Sequence, residues 1–233
     1  MVVLLALLGV FAGALTTVAG MGGGFVMVVV LSLFMSPVEA LAITAPALLL
    51  ANAHRAWMYR AEIAWREIKP LILGAFPFAV LGSFIATALP DAVIRLSMAA
   101  MAAMAVARVV FELTWAPSRV WNGPAGALTG FVSATTGGGG TVMGPFLLAR
   151  GLSGTRYVVT GACTAGAIHI ARIGSYTAAG AGVDLIVKGV LLASMLFIGN
   201  LLGDRVRRHL GESGQHRVQL GVMLACVGLA LVG

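Results

Sequence analysis

The chain has 233 residues, 60% of them hydrophobic and only 10% charged, with a formal net charge of +7. A soluble domain carries about 25% charged residues, so a soluble enzyme, a nucleic-acid binder and a secreted disulfide domain are excluded as first readings. Mean hydropathy is +1.01, the value of a polytopic membrane protein. The basic residues lie in loops between apolar runs, where they report topology and not nucleic acid.

Residues 1–35 are apolar but cut by Gly20-Met21-Gly22-Gly23-Gly24, which predicts a hairpin whose second arm, 25–35, is short. The apolar start has no basic leader and runs on into the hairpin, so it reads as part of the fold and not as a cleavable signal. Runs of about 20 apolar residues, enough to span a bilayer, follow at 38–59, 70–90 and 93–112. A second broken stretch covers 121–149, cut by Gly137-Gly138-Gly139-Gly140, with the short arm 141–149. Spans at 156–178, 184–203 and 216–233 complete the chain. At 1.5 Å per residue each short arm reaches about halfway across a ~30 Å core, which favours a re-entrant loop over two full crossings. Pro46, Pro77 and Pro145 predict kinks or breaks, and Cys163 and Cys226 read as reduced core residues inside apolar runs. The pairs Gly9/Gly13, Gly126/Gly130 and Gly199/Gly203 have the spacing that lets helices cross closely.

The two broken stretches are related. Gly13-Ala14-Leu15-Thr16 recurs as Gly126-Ala127-Leu128-Thr129, and a glycine run follows each. Ala42-Ile43-Thr44-Ala45-Pro46 is echoed by Val158-Val159-Thr160-Gly161-Ala162, Arg55-x-x-x-Tyr59 by Arg172-x-x-x-Tyr176, and Gly82 by Gly199. This ordered series predicts an internal duplication, 1–115 and 116–233. The strongest basic loops, 60–69 and 204–217, occupy non-equivalent positions in the two halves. Both face the cytoplasm only if the halves are inverted, which puts Arg119, Arg150 and Arg156 inside and both termini outside. The predicted fold is therefore an all-α integral membrane protein of two inverted repeats, each a glycine-broken helical hairpin plus three transmembrane helices.

Non-helical backbone at membrane depth survives only in protein or beside a water-filled cavity. A glycine run lets N–H groups converge, and the arm after it aims the positive end of its dipole at the same place. Two such ends in inverted halves make a midplane anion site from Gly22, Gly23, Gly24, Gly138, Gly139 and Gly140; the alternative is tight packing at glycine without ligand. Neither run continues into a Walker A loop or a dinucleotide fingerprint. Arg55 and Arg172 lie about four-fifths along their spans, where a guanidinium faces a cavity or snorkels to the surface. Facing a cavity, they attract an anion at each entrance. Asn52 and His169 lie one turn deeper on the same helix faces. Thr44, Thr160 and Thr164 supply hydroxyls that either donate to an oxyanion or bond back to their own helices. No acidic residue sits mid-span, so a carboxylate relay or carboxylate-based sodium site is unsupported. Metal-ligand spacing and a nucleophile–His–acid set are also lacking, which reads as neither enzyme nor cofactor protein.

The series Gly13…Gly20-Met21-Gly22-Gly23-Gly24-Phe25, Ala42-x-Thr44 and Asn52-x-x-Arg55-x-x-x-Tyr59 resembles the TauE/SafE family of membrane transport proteins. The second half is similar through Gly137–Gly140, Thr160 and Arg172-x-x-x-Tyr176. The resemblance implies a multi-pass permease of the cell membrane for sulfite, sulfonates or other sulfur-containing oxyanions, inorganic or organic. The expected partners are that anion and the lipid bilayer, with no nucleic acid and with a homodimer as one assembly open to it. The expected mechanism is alternating access; the alternative is an anion channel on the same architecture.

Overall fold

The computed structural model describes residues 2–19, 23–111, 117–209, 218, 221, 222 and 224–230. Every regular element among them is helical. The α-helices are α1 (Val2–Ala19), α2 (Gly23–Leu31), α3 (Pro37–Met58), α4 (Trp65–Ala88), α5 (Asp91–Val110), α6 (Asn122–Thr136), α7 (Gly139–Ala149), α8 (Gly154–Ala178) and α9 (Val183–His209). Single 3-10 turns, Arg60–Glu62 and Arg119–Trp121, precede α4 and α6. The predicted span 216–233 lies largely outside the described residues, though Cys226 and Ala230 are buried in the same core cluster as α2.

Local chemistry sets several boundaries. Ser36 and Glu39 form a reciprocal capping box ahead of α3, with Pro37 at the first helical position. Gly137, at φ +76°, ends α6 in the left-handed conformation that glycine adopts without penalty. The helices α2 and α7 begin inside the glycine runs, so Gly23, Gly24, Gly139 and Gly140 belong to first turns and not to the breaks. The helix α4 starts five residues before the apolar run expected at 70, and α9 continues six residues past 203. Hydropathy marks where lipid begins, whereas backbone hydrogen bonding carries a helix on into polar sequence.

Two parallel helix pairs make the closest crossings. In α4/α6, a Cβ on Gly74 would strike the Gly123 carbonyl, one on Gly126 that of Leu71, and one on Gly130 that of Ala75. In α1/α9, a Cβ on Gly13 would strike the Leu196 carbonyl, and one on Gly199 that of Val10. The paired glycines seen in the sequence are thus packing residues. Each pair joins a helix from residues 1–115 to one from residues 116–233.

The helices α3 and α9 also run parallel and touch most closely where Gly189 faces Pro46 and the Ile43 carbonyl. Pro46, Pro70, Pro77 and Pro145 all sit within continuous helices and interrupt none of them. Large apolar side chains cover the outer faces, among them Leu73, Phe84, Val187 and Leu201, while Arg172, His169 and several threonines are buried. The helices Trp65–Ala88 and Asp184–Gly203 are each long and apolar enough to cross a bilayer. Apolar faces outward with polar groups inside is the distribution of a membrane protein.

Candidate functional site

The helices α3 and α8 are antiparallel: Arg156 near the start of α8 pairs with Glu62 after α3, and Arg172 near its end meets the first turns of α3. Arg172 is fully buried, at 0% exposure. One terminal nitrogen donates to the Leu41 carbonyl at 2.6 Å and to Thr44 Oγ1 at 3.2 Å. The other lies 3.4 Å from His169 Nδ1, and the guanidinium sits 5.9 Å from the Tyr176 ring centroid. The Tyr176 hydroxyl donates to the Ala134 carbonyl near the end of α6, just before the second glycine break. Nε of Arg172 is buried without a partner, and no carboxylate pairs with Arg172 among the described residues. Arg172 therefore does not snorkel; burial is held by a carbonyl, a hydroxyl and an aromatic face.

Two cavities flank the Pro46–Gly189 contact. One, of about 420 Å³, opens between the starts of α3 and α9 and the end of α8, bordered by Glu39, Thr87, Tyr176, Asp184 and Lys188. The other, of about 230 Å³, lies farther along α3 and α9, bordered by His54, Arg55, Phe197 and Asn200. Each matched Arg-x-x-x-Tyr motif thus contributes to one cavity, Tyr176 to the first and Arg55 to the second. Arg55 is half-buried, whereas Arg172 is sealed.

The remaining sequence candidates divide. Thr44 and His169 join Arg172 directly. Asn52 donates to the Leu48 carbonyl at 2.8 Å and Thr164 to the Thr160 carbonyl at 2.9 Å, both back-bonds within one helix. The Thr160 hydroxyl is buried without a partner. Arg55 and Arg172 occupy opposite ends of the α3–α8 pair and so are not one site. Gly22 lies outside the described residues. Gly138 donates its N–H to Thr136 Oγ1 at 3.1 Å, and a Cβ there would meet Phe25 and Met101. Gly139 packs on Ser133, Gly24 on Leu48, and Gly23 is buried, whereas Gly140 is exposed with open space above it. The second break touches α2 through Val28 against Gly137, but no described glycine of either run borders the two cavities.

Sequence reasoning missed three participants. In the sequence Tyr176 marks only the recurring motif, and its position one turn beyond Arg172 is the signal that places it beside the guanidinium. Asn200 follows the matched Gly199 and is now seen beside Arg55. Glu67 is the hub of an ionic cluster: Arg119 Nε lies 2.7 Å from one oxygen, Arg150 3.1 Å from the other, and Asn122 donates at 2.9 Å. With the Arg156–Glu62 pair, this gathers Arg119, Arg150 and Arg156 at the same end as loop 60–69. Among the described residues no group of His, Cys, Asp or Glu has metal-binding geometry.

Comparison with known proteins gives one family. The sequence model of the family described as sulfite exporter TauE/SafE matches residues 5–231. No curated protein and no solved structure matches the chain. A match over nearly the whole length, on a helical protein with an apolar exterior and a buried, carboxylate-free arginine, shows that the chain belongs to the TauE/SafE sulfite exporter family of membrane transporters.

Proposed function

We propose that the protein is a secondary carrier of small sulfur-containing oxyanions, sulfite or a sulfonate, working by alternating access. The observation that carries this reading is Arg172, a buried guanidinium with no carboxylate partner among the described residues. A charge in a low-dielectric interior costs several kcal/mol unless a counter-charge arrives, and a permeating anion supplies one. Thr44 and His169 complete the polar lining around it. The positions of the two cavities support a carrier over a pore. They lie on either side of the Pro46–Gly189 contact, and one matched arginine motif borders each.

In this mechanism the residues 1–115 and 116–233 act as inverted repeats that rock about the midplane. The exchanged pairs α1/α9 and α4/α6 would move as rigid units, because glycine contacts join them through backbone. Arg55 and Arg172 take the anion at opposite ends of α3 and α8. The glycine breaks, with Gly22 to Gly24 and Gly138 to Gly140, contribute N–H donors and the positive ends of α2 and α7 once the packing around them opens. Thr160 and Thr164 line the path on α8. Loop 60–69 and the Glu67 cluster face the cytoplasm, and both termini face outward.

Counterflow in proteoliposomes tests the carrier. Saturable exchange of sulfite or a small sulfonate, slower by at least tenfold in Arg172→Met, is the expected result. Ohmic single-channel currents from the parent protein would instead assign a channel.

A further inference from the structure

The cavity between α3 and α9 carries chemistry that the family match does not assign. The two helices touch at Pro46 and Gly189 and separate beyond that point, leaving about 230 Å³ bordered by His54, Arg55, Ser194, Phe197 and Asn200. This is the liquid volume of roughly seven water molecules, enough for a small oxyanion with part of its hydration shell. The Arg55 guanidinium has no hydrogen bond or ion pair among the described residues, and no carboxylate among the described side chains borders the cavity.

Asn200 is held in a fixed sense. The Gly199 before it presses on the Val10 carbonyl, so α9 and α1 meet without side chains between them. That contact brings Thr17 alongside, and its hydroxyl donates to Asn200 Oδ1 at 3.1 Å while also approaching the Gly13 carbonyl at 3.1 Å. With its carbonyl accepting from Thr17, the amide keeps Nδ2 as the group free to donate. The Ser194 hydroxyl bonds back to the Val190 carbonyl at 3.3 Å. The imidazole of His54 is fixed edge-on to Phe197, with ring centroids 5.5 Å apart. The Arg55 and Asn200 side chains therefore border one cavity with no competing carboxylate among the described side chains.

We infer that Arg55 and Asn200 form an oxyanion-binding site in this cavity, with Thr17 as the positioning residue that orients the Asn200 amide. The inference rests on the carrier reading for its place in transport, but not for its binding chemistry. A donor-only pair suits a fully deprotonated tetrahedral or pyramidal oxyanion and offers nothing to a neutral acid or an amine. Leu50 and Phe197, both about half exposed, border the same cavity. The oxyanion thus arrives either from water or as the phosphate of an anionic lipid, and the experiment separates the two.

Purified full-length protein is titrated with sulfite, sulfate, phosphate and chloride by calorimetry, in detergent and in nanodiscs of neutral or anionic lipid. We expect oxyanion affinity to fall at least tenfold in Arg55→Ala and in Asn200→Asp, which keeps the shape of the side chain but adds a negative charge. Thr17→Val should weaken binding severalfold, because the amide is then free to turn its oxygen toward the anion. A second readout guards against misfolding: Ala193→Cys, with Cys163 and Cys226 replaced by serine, is labelled with a charged thiol reagent. Sulfite should slow labelling in the parent background and not with Asn200→Asp. Loss of sulfite binding in anionic but not neutral nanodiscs assigns the occupant to lipid headgroups; equal binding in both assigns it to soluble anions. Parent-like affinity and protection in both Arg55→Ala and Asn200→Asp would overturn the site. Absence of flux with binding that still depends on Asn200 would refute the carrier and leave the site standing.

Discussion

At the residue scale, burial without a counter-ion separates Arg172 from the other arginines. Arg119 and Arg150 share Glu67, and Arg156 has Glu62, but Arg172 meets no carboxylate among the described residues, only the Leu41 carbonyl, the Thr44 hydroxyl, His169 Nδ1 and the Tyr176 ring. Replacing a buried charge by an apolar chain of similar length is often neutral or stabilising, by about 1–4 kcal/mol where ion pairs have been compared. Arg172→Met is thus expected to melt at or above the parent temperature while transport falls at least tenfold. A lower melting temperature with normal transport would make Arg172 structural. Glu67 gives the opposite case. Its side chain is 10% exposed, that of Arg150 15% and that of Arg119 68%. Thermal unfolding in detergent should therefore rank Arg150→Ala as the more damaging, near 1–3 kcal/mol, and Arg119→Ala as costing about 0–1 kcal/mol. Arg55, Arg172, Thr44 and His169 were legible in the sequence as polar residues inside apolar spans. Their pairing was not, because the Leu41 carbonyl and Thr44 hydroxyl reach Arg172 only after α3 and α8 pack antiparallel.

At the element scale, the described helices α1 to α9 lie on apolar runs that the glycine runs punctuate. Boundaries moved where polar sequence continued a helix, as at Trp65 and His209. The glycine runs were harder to read. A run of four glycines fits a backbone anion cradle and a tight crossing equally well by composition. In the fold, Gly137 and Gly139 are packed, and Gly138 donates to Thr136. Gly140 alone among the placed glycines of that run faces open space, so Gly140→Ala keeps both the packing and the backbone N–H and should transport like the parent. Gly126→Val and Gly199→Val should separate α4 from α6 and α1 from α9, lowering the yield of monodisperse protein severalfold. Gly174→Ala, where a Cβ meets nothing within 4 Å, should be neutral or stabilising by up to about 1 kcal/mol. Size-exclusion profiles and melting curves would show the ranking; equal behaviour of all three would remove glycine packing as the organising contact.

At the scale of the whole molecule, two cavities separated by the Pro46–Gly189 contact and flanked by matched arginine motifs give a carrier its parts. The recurring Arg-x-x-x-Tyr motif in the sequence does not supply the difference between the two ends. One arginine is sealed under Tyr176 and the other opens to a cavity, a distinction that depends on side-chain rotamers and helix crossing. If this asymmetry serves the proposed carrier of sulfur oxyanions, counterflow reads it out. Proteoliposomes loaded with sulfite would be challenged with sulfite, sulfate, thiosulfate, a small sulfonate, chloride and acetate. Saturable exchange confined to sulfur oxyanions and lost in Arg172→Met is the expected result. Exchange of chloride or acetate at the same rate as sulfite, or none by protein shown to be folded and inserted, would contradict it.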